Sequence, residues 1–145
     1  MSVWPEVHGV VHLPDGRRVR GTGVRRPRDD APDPDFALYL LGRDPRITDW
    51  PNRWVRWHDF HVPTSTDEAV AALREAHDRA TAERVEIACA GGRGRTGSAM
   101  AVLAIMSGVR PDHAVVWARD HYHRKAVETR PQRRWIEDVG RSISD

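Results

Sequence analysis

The sequence predicts an α/β fold: a single domain over residues 1–145 with a small central twisted sheet, flanked by helices, and a strand–loop–helix junction at its working centre. Three observations predict it. Short apolar runs of strand length fill the first half of the chain, whereas helix-period patterns dominate after residue 64. Between them, the apolar run Val85–Ala88 meets the glycine-rich stretch Gly91-Gly92-Arg93-Gly94 and then an apolar helical segment. The length of 145 residues suffices to bury one proper core and is short for two.

Taken in order, Val3, Trp4, Val7, Val10, Val11 and Leu13 lead to the turn residues Pro14-Asp15-Gly16, and Val19–Val24 returns, which predicts an N-terminal hairpin. Residues 25–35 hold three prolines and no large apolar side chain, so a mobile loop is expected there. Phe36–Leu41 is a continuous apolar run before Gly42 and reads as a buried strand. A turn-rich passage over 42–53 precedes a strand at Trp54–Trp57 that ends at His58-Asp59, and Pro63 breaks the chain. Ser65 and Glu68 have capping-box spacing and open a helix to about residue 82, with Val70, Leu73, Ala76 and Ala80 on its inner face. Val85–Ala88 is the next strand. Ser98–Ser107 is apolar almost all round, which places that helix at the centre, and Gly108 stops it. Pro111 fits the first turn of a helix through Val115, Val116 and Trp117 to about Tyr122. Residues 124–130 connect to a last helix, starting near Thr129 or Arg130, that turns Trp135, Ile136, Val139 and Ile143 inward; Trp117 and Trp135 read as core.

Composition narrows the function. Charged residues are 30% and hydrophobic ones 39%, ordinary for a globular protein, and the net charge is +2. Of 23 basic residues 22 are arginine, scattered through nearly every segment, which argues for a coding bias and against a nucleic-acid face. A lone cysteine, Cys89, excludes an internal disulfide framework and fits a reducing compartment. The first residues show no basic region followed by an apolar stretch, and Ala99–Met106 is far too short to span a bilayer, so a cytoplasmic protein without a membrane span is expected. His58 with His61, and His121 with His123, come without the cysteines or carboxylates of a metal site, so no metal and no cofactor are expected.

The stretch Cys89-Ala90-Gly91-Gly92-Arg93-Gly94-Arg95-Thr96-Gly97 suits phosphate chemistry. A phosphate ester dianion needs many donors converging on its nonbridging oxygens. Gly91, Gly92 and Gly94 allow successive backbone N–H groups to face inward as a nest, and the helix that follows adds its N-terminal dipole. Arg95 can grip two oxygens through its planar fork and keeps its charge. The same field favours the thiolate of Cys89, a nucleophile that then needs no adjacent base. Thr96 offers a hydroxyl near the sulfur, suited to stabilising it as a leaving group.

Cys89, five residues, Arg95 and then Thr96 resembles the signature loop of the cysteine-based protein tyrosine phosphatase superfamily. Trp57-His58-Asp59-Phe60-His61-Val62-Pro63 is similar to that family's acid loop, Trp-Pro-Asp-Phe-Gly-Val-Pro, and Val127-Glu128-Thr129-Arg130-Pro131-Gln132 resembles the segment with its water-positioning glutamine. The resemblance covers residues 57 to about 136 and leaves the first 50 unmatched; the size is that of compact dual-specificity members. It implies a phosphatase-like fold and a phosphomonoester hydrolase that works through a cysteinyl-phosphate. In that reading Cys89 attacks, and Arg95 with Ala90, Gly91, Gly92, Arg93 and Gly94 binds the phosphate. Asp59 protonates the leaving group and then deprotonates water, which Gln132 orients. Thr129 and Gln132 also have capping-box spacing for the last helix.

Two departures stand out. Ala88 occupies the place of the family's histidine before the nucleophile, and His58 that of the acid-loop proline. The basic residue Arg93 within the loop is also similar to phosphoinositide-directed members. The expected partner is therefore a phosphorylated protein or a small phosphomonoester, with a phosphoinositide or metabolite phosphatase, or a phospho-binding module without turnover, as alternatives.

Overall fold

The structure is a computed structural model that describes residues 2–144. Along the chain run β1 (Val10–His12), β2 (Arg18–Gly23), β3 (Phe36–Leu41), β4 (Asn52–Arg56), α1 (Thr66–Arg79), β5 (Val85–Cys89), α2 (Gly94–Met106), a 3-10 turn at Pro111–His113, α3 (Ala114–His121) and α4 (Arg130–Ser144). The expected hairpin is present with a short first arm: β1 pairs antiparallel with β2, Val11 opposite Val19. The five strands lie in the order β1-β2-β5-β3-β4, and every pair except the hairpin is parallel.

Alternation along the strands divides the core. Val85, Ile87 and Cys89 of β5, Phe36, Leu38 and Leu40 of β3, and Val55 of β4 share one large cluster with the buried faces of the helices. Ala37, Tyr39 and Ala88 face the other way, in a small cluster covered by Leu41, Ile47, Trp50 and Trp54. Trp4 is fully buried, and its indole N–H donates to the Val85 carbonyl at 2.8 Å, anchoring the N-terminal segment to β5.

Most elements match the sequence pattern, and the differences have physical causes. Ser65 caps α1, its Oγ accepting the Glu68 N–H at 3.2 Å. The inner face of that helix is nevertheless Ala69, Ala72, Leu73 and Ala76; Val70 is half-buried, because small alanines allow the closest approach to α2 and the sheet. α2 begins at Gly94, a turn before Ser98, and is buried through Ile105. Beyond Gly108, at φ +113°, the 3-10 turn shifts the phase of α3, so Val116 is exposed and Trp117 is half-buried, stacked on His121 at 4.3 Å instead of lying in the core. Trp135 does lie in the core.

Residues 25–35 are irregular, as expected, but they are held down. Glu86 on β5 is 1% exposed, and Arg28 reaches it with both guanidinium ends at 3.0 and 2.9 Å. The Arg28 guanidinium also lies over the Trp50 ring at 4.7 Å. Arg20 pairs with Asp29, and Asp35 accepts the Arg84 N–H at 2.8 Å. Arg28→Ala would strand a buried carboxylate. Urea unfolding is expected to show a loss of about 3 kcal/mol, the lower end for a broken buried pair because the outer half of Arg28 is in water. A loss within about 0.5 kcal/mol of zero would show that the pair contributes nothing net.

Candidate active site

β5 ends at Cys89 with parallel neighbours on both sides, so the loop that follows opens at the carboxyl ends of the strands, where open α/β sheets hold ligands. The chain leaving β2 secures the outer edge of this loop. The Val24 N–H donates to the Cys89 carbonyl at 2.9 Å and the Arg25 N–H to the Ala90 carbonyl at 3.1 Å. The N–H groups of Gly91, Arg93, Gly94 and Arg95 find no acceptor among the described residues, while α2 starts at once behind them. Gly92 stands at φ +76°, where a Cβ would lie 2.9 Å from the Thr22 carbonyl oxygen, and its N–H donates to Cys89 Sγ at 3.2 Å. The loop is thus a nest of free donors around the one thiol.

Arg95 is 4% exposed. Its Nη1 donates to the Trp57 carbonyl at 2.9 Å, while Nε has no hydrogen-bond partner and lies 3.6 Å from Asp59 Oδ1. Thr96 Oγ1, also buried, is likewise without a partner. Buried polar atoms are rarely left unpaired, and both of these belong to the phosphate loop and its first helical turn. They fit a group that accepts hydrogen bonds.

The acid loop is held from three sides. Trp57 is buried, packs edge-on against Trp135 with centroids 5.2 Å apart, and donates its indole N–H to the His61 carbonyl at 2.6 Å. Phe60 takes φ +63°, and its N–H donates to Asp59 Oδ1 at 3.0 Å. Asp59 is the half-exposed side chain at the rim. His58, in the place of the family's proline, packs its ring on Gly42. Gln132 is fully buried: its Nε2 donates to the His61 carbonyl at 3.0 Å, and its Oε1 accepts the N–H groups of Glu128 at 2.9 Å and Thr129 at 3.2 Å. The Gln132 N–H donates in turn to Thr129 Oγ1, completing the capping box of α4. Cys89, the loop through Arg95, Thr96 and Asp59 therefore converge, and Gln132 joins them by holding the acid loop.

Sequence reasoning passed over two residues here. An ideal Cβ at Gly94 would lie 1.8 Å from Glu128 Oε1, so only glycine lets this carboxylate rest on the loop. Burial, and then the charge of Asp59, push the Glu128 carboxyl above its ordinary range, against the pull of Arg95, Arg93 and Lys125. The second is Tyr122, whose hydroxyl donates to the Gly92 carbonyl and whose ionisation is pushed up by burial and then by Cys89. Glu128 had a signal, a second carboxylate four residues before Gln132; Tyr122 had none. Among the described residues no group of three or more His, Cys, Asp or Glu is arranged to hold a metal ion.

A family model described as protein-tyrosine phosphatase matches residues 37–134, about two thirds of the chain. The chain belongs to the protein-tyrosine phosphatase family. The family fold is also shared with solved structures. Tk-PTP in its active form superposes with a TM-score of 0.69 at 23% identity, over 90% of this chain and 96% of that one. Kinase associated phosphatase, with serine replacing its catalytic-site cysteine, gives 0.72 at 13% identity over 97% and 98%. PTPMT1 in complex with PI(5)P gives 0.57 at 15% identity over 75% and 78%. The chain spans about half the length of the curated relatives it matches. Uncharacterized protein MJ0215 of Methanocaldococcus jannaschii is 29% identical over 86 residues, 59% of this chain and 53% of that protein. Uncharacterized protein MJECL20 of the same organism gives the same identity over the same number of residues.

This arrangement of the phosphatase-family loops makes Gln132 a structural joint between the start of α4 and the loop that carries Asp59. Gln132→Ala is expected to cost roughly 1–2 kcal/mol in urea unfolding, from a lost cap and a lost buried hydrogen bond. It should also raise amide exchange across residues 58–62. Unchanged exchange there would mean that Trp57 and Arg95 suffice to hold the loop.

Proposed function

We propose that the chain is a phosphomonoester hydrolase that works through a cysteinyl-phosphate, acting on phosphotyrosine and on phosphoserine or phosphothreonine in proteins. The Cys89 thiolate attacks phosphorus while the bond from phosphorus to the leaving oxygen breaks, and Asp59 gives that oxygen its proton. Water then attacks the phosphocysteine, the phosphorus–sulfur bond breaks with Thr96 beside the sulfur, and Asp59 takes the proton from water. Arg95 and the loop N–H groups hold the equatorial oxygens throughout, so catalysis is mostly positioning plus electrostatic stabilisation.

The observation that carries this reading is Asp59 at 3.6 Å from the unpartnered Nε of Arg95. A module that only binds phosphate needs the nest and the arginine; it has no use for a carboxylate brought to the rim against an anionic ligand. A chain whose chemistry depends on one free thiol also suits a reducing compartment such as the cytoplasm. Among the described residues no helix is long and apolar enough to cross a membrane. Arg93 within the loop favours a second reading with the same chemistry, a phosphoinositide or small phosphorylated metabolite as substrate; a panel of phosphopeptides, inositol lipids and nucleotides separates the two.

Cys89→Ser is expected to abolish turnover of an aryl phosphate yet keep inorganic phosphate binding measurable by calorimetry, and full activity of that variant would end the proposal. Asp59→Asn should slow hydrolysis by roughly 10²–10⁴-fold. Glu128→Gln on the Asp59→Asn background should remove about a further factor of 10, since it takes away the second carboxyl that can hold a proton at the rim. An unchanged rate would confine Glu128 to a structural role.

A further inference from the structure

A trans peptide unit points its carbonyl and the following N–H in opposite directions, so holding the carbonyl of one residue aims the N–H of the next. The phosphate loop is held in this way from outside. The Val24 N–H on the Cys89 carbonyl fixes the Ala90 N–H, and the Arg25 N–H on the Ala90 carbonyl fixes that of Gly91. Farther along, α2 takes over. The Gly97 N–H donates to the Arg93 carbonyl at 2.8 Å and Ser98 Oγ to the Gly94 carbonyl at 2.8 Å, which fixes the N–H groups of Gly94 and Arg95. Between these two stretches lies the Gly92–Arg93 peptide. Gly92 stands at φ +76° and follows another glycine, so backbone sterics restrain this unit least.

Tyr122 fills that gap. Its hydroxyl donates to the Gly92 carbonyl. Among the described residues no other side chain from outside the loop and α2 bonds a backbone group of residues 89–94. The tyrosine is built into its place. Its ring lies over Gly21 of β2, where any side chain would collide with it. Tyr122 also caps α3, its N–H donating to the Ala118 carbonyl at 2.9 Å. Arg119 of the same helix ties down the chain beyond, donating to the Ala126 and Val127 carbonyls at 2.9 and 2.8 Å. Burial, and then the charge of Cys89, push the ionisation of Tyr122 up, so the hydroxyl keeps its proton and stays a donor.

We propose that Tyr122 is a positioning residue of the reaction. By holding the Gly92 carbonyl outward, it keeps the Arg93 N–H aimed at an equatorial oxygen of the phosphoryl group in the Cys89–Arg95 loop. The inference rests on the phosphatase reading and adds to it a residue that lies outside the three motifs of the sequence. An unheld Gly92 carbonyl is free to turn its partial negative charge toward the dianion. The one hydrogen bond therefore supplies a donor and keeps an acceptor away. Donors set in fixed directions act most on the charge of the transition state, so the contribution of Tyr122 falls mainly on kcat.

Tyr122→Phe keeps the ring over Gly21 and removes only the hydroxyl. Turnover of p-nitrophenyl phosphate by this variant is expected to fall about 10-fold, in kcat more than in KM. That is less than the roughly 10²–10³-fold lost when an oxyanion donor is deleted outright, because the Arg93 N–H is still present. The deciding readout is taken residue by residue from ¹⁵N–¹H spectra. In the unaltered protein, inorganic phosphate should shift the amides of Gly91, Arg93, Gly94 and Arg95. In Tyr122→Phe the response of Arg93 should shrink while the other three persist. A merely structural role would weaken all four alike. That result, or a kcat within about twofold of the unaltered protein, would overturn the proposal. An Arg93 amide indifferent to phosphate in the unaltered protein, with its neighbours responding, would overturn it without any variant. Inert p-nitrophenyl phosphate with the unaltered protein would instead fail the phosphatase reading, and the amide responses then decide alone whether Tyr122 aims the Arg93 N–H at a bound anion.

Discussion

The site depends on one buried cation. Arg95 sits in the first turn of α2 at 4% exposure, and a guanidinium so placed has to be compensated by groups whose positions it then dictates. One end is spent on the carbonyl of Trp57 and the other faces Asp59, so the side chain proposed to grip an anion also fixes the root of the loop that carries Asp59. Trp57 passes the constraint on through its indole to His61 and through its ring to Trp135, and Gln132 closes the circuit from His61 to the start of α4. Three segments far apart in the chain therefore share one geometry. Moving any of them shifts Asp59 relative to Cys89.

The N-terminal segment completes this arrangement from the other side. β2 lies parallel to β5 with Gly23 opposite Cys89, and the two residues after it occupy carbonyls of the phosphate loop. Pairing at the outer edge is what leaves the inner N–H groups without acceptors. Gly92 marks how close the approach is, since a side chain there would collide with Thr22. Residues 1–36, which precede the family match, thus include the strand end that shapes the loop.

What could be read in the sequence follows from how local each constraint is. The thiol, the glycines and Arg95 lie on one short turn whose chemistry forces their spacing, and Asp59 sits among Phe60, Val62 and Pro63 in a loop of recognisable pattern. The position of β2 beside β5 depends on a pairing across more than 60 residues, which no local periodicity encodes. Residues 25–35 looked mobile because their composition is polar and proline-rich. Their tether is Glu86, a charged residue inside an otherwise apolar strand, and that anomaly was the readable clue to a buried partner. Trp117 left the core because the 3-10 turn at Pro111–His113 advances the chain by a different angle per residue than an α-helix does. Gln132 carried two patterns at once, a cap and a site residue, and its hydrogen bonds serve both the helix start and the acid loop.

Charge is distributed unevenly around the phosphate loop, and the unevenness has a direction. On the rim beside Arg95 stand two carboxylates, Asp59 and Glu128, close enough for one to raise the proton affinity of the other. On the flank beyond Gly91 stand Arg26, Arg93, Arg124 and Lys125 around His123, with the nearby Asp29 already paired. An anion approaching the loop meets an attractive side and a proton-bearing side. Such a field orients an anion before contact, with its negative charge toward the arginines and away from the two carboxylates.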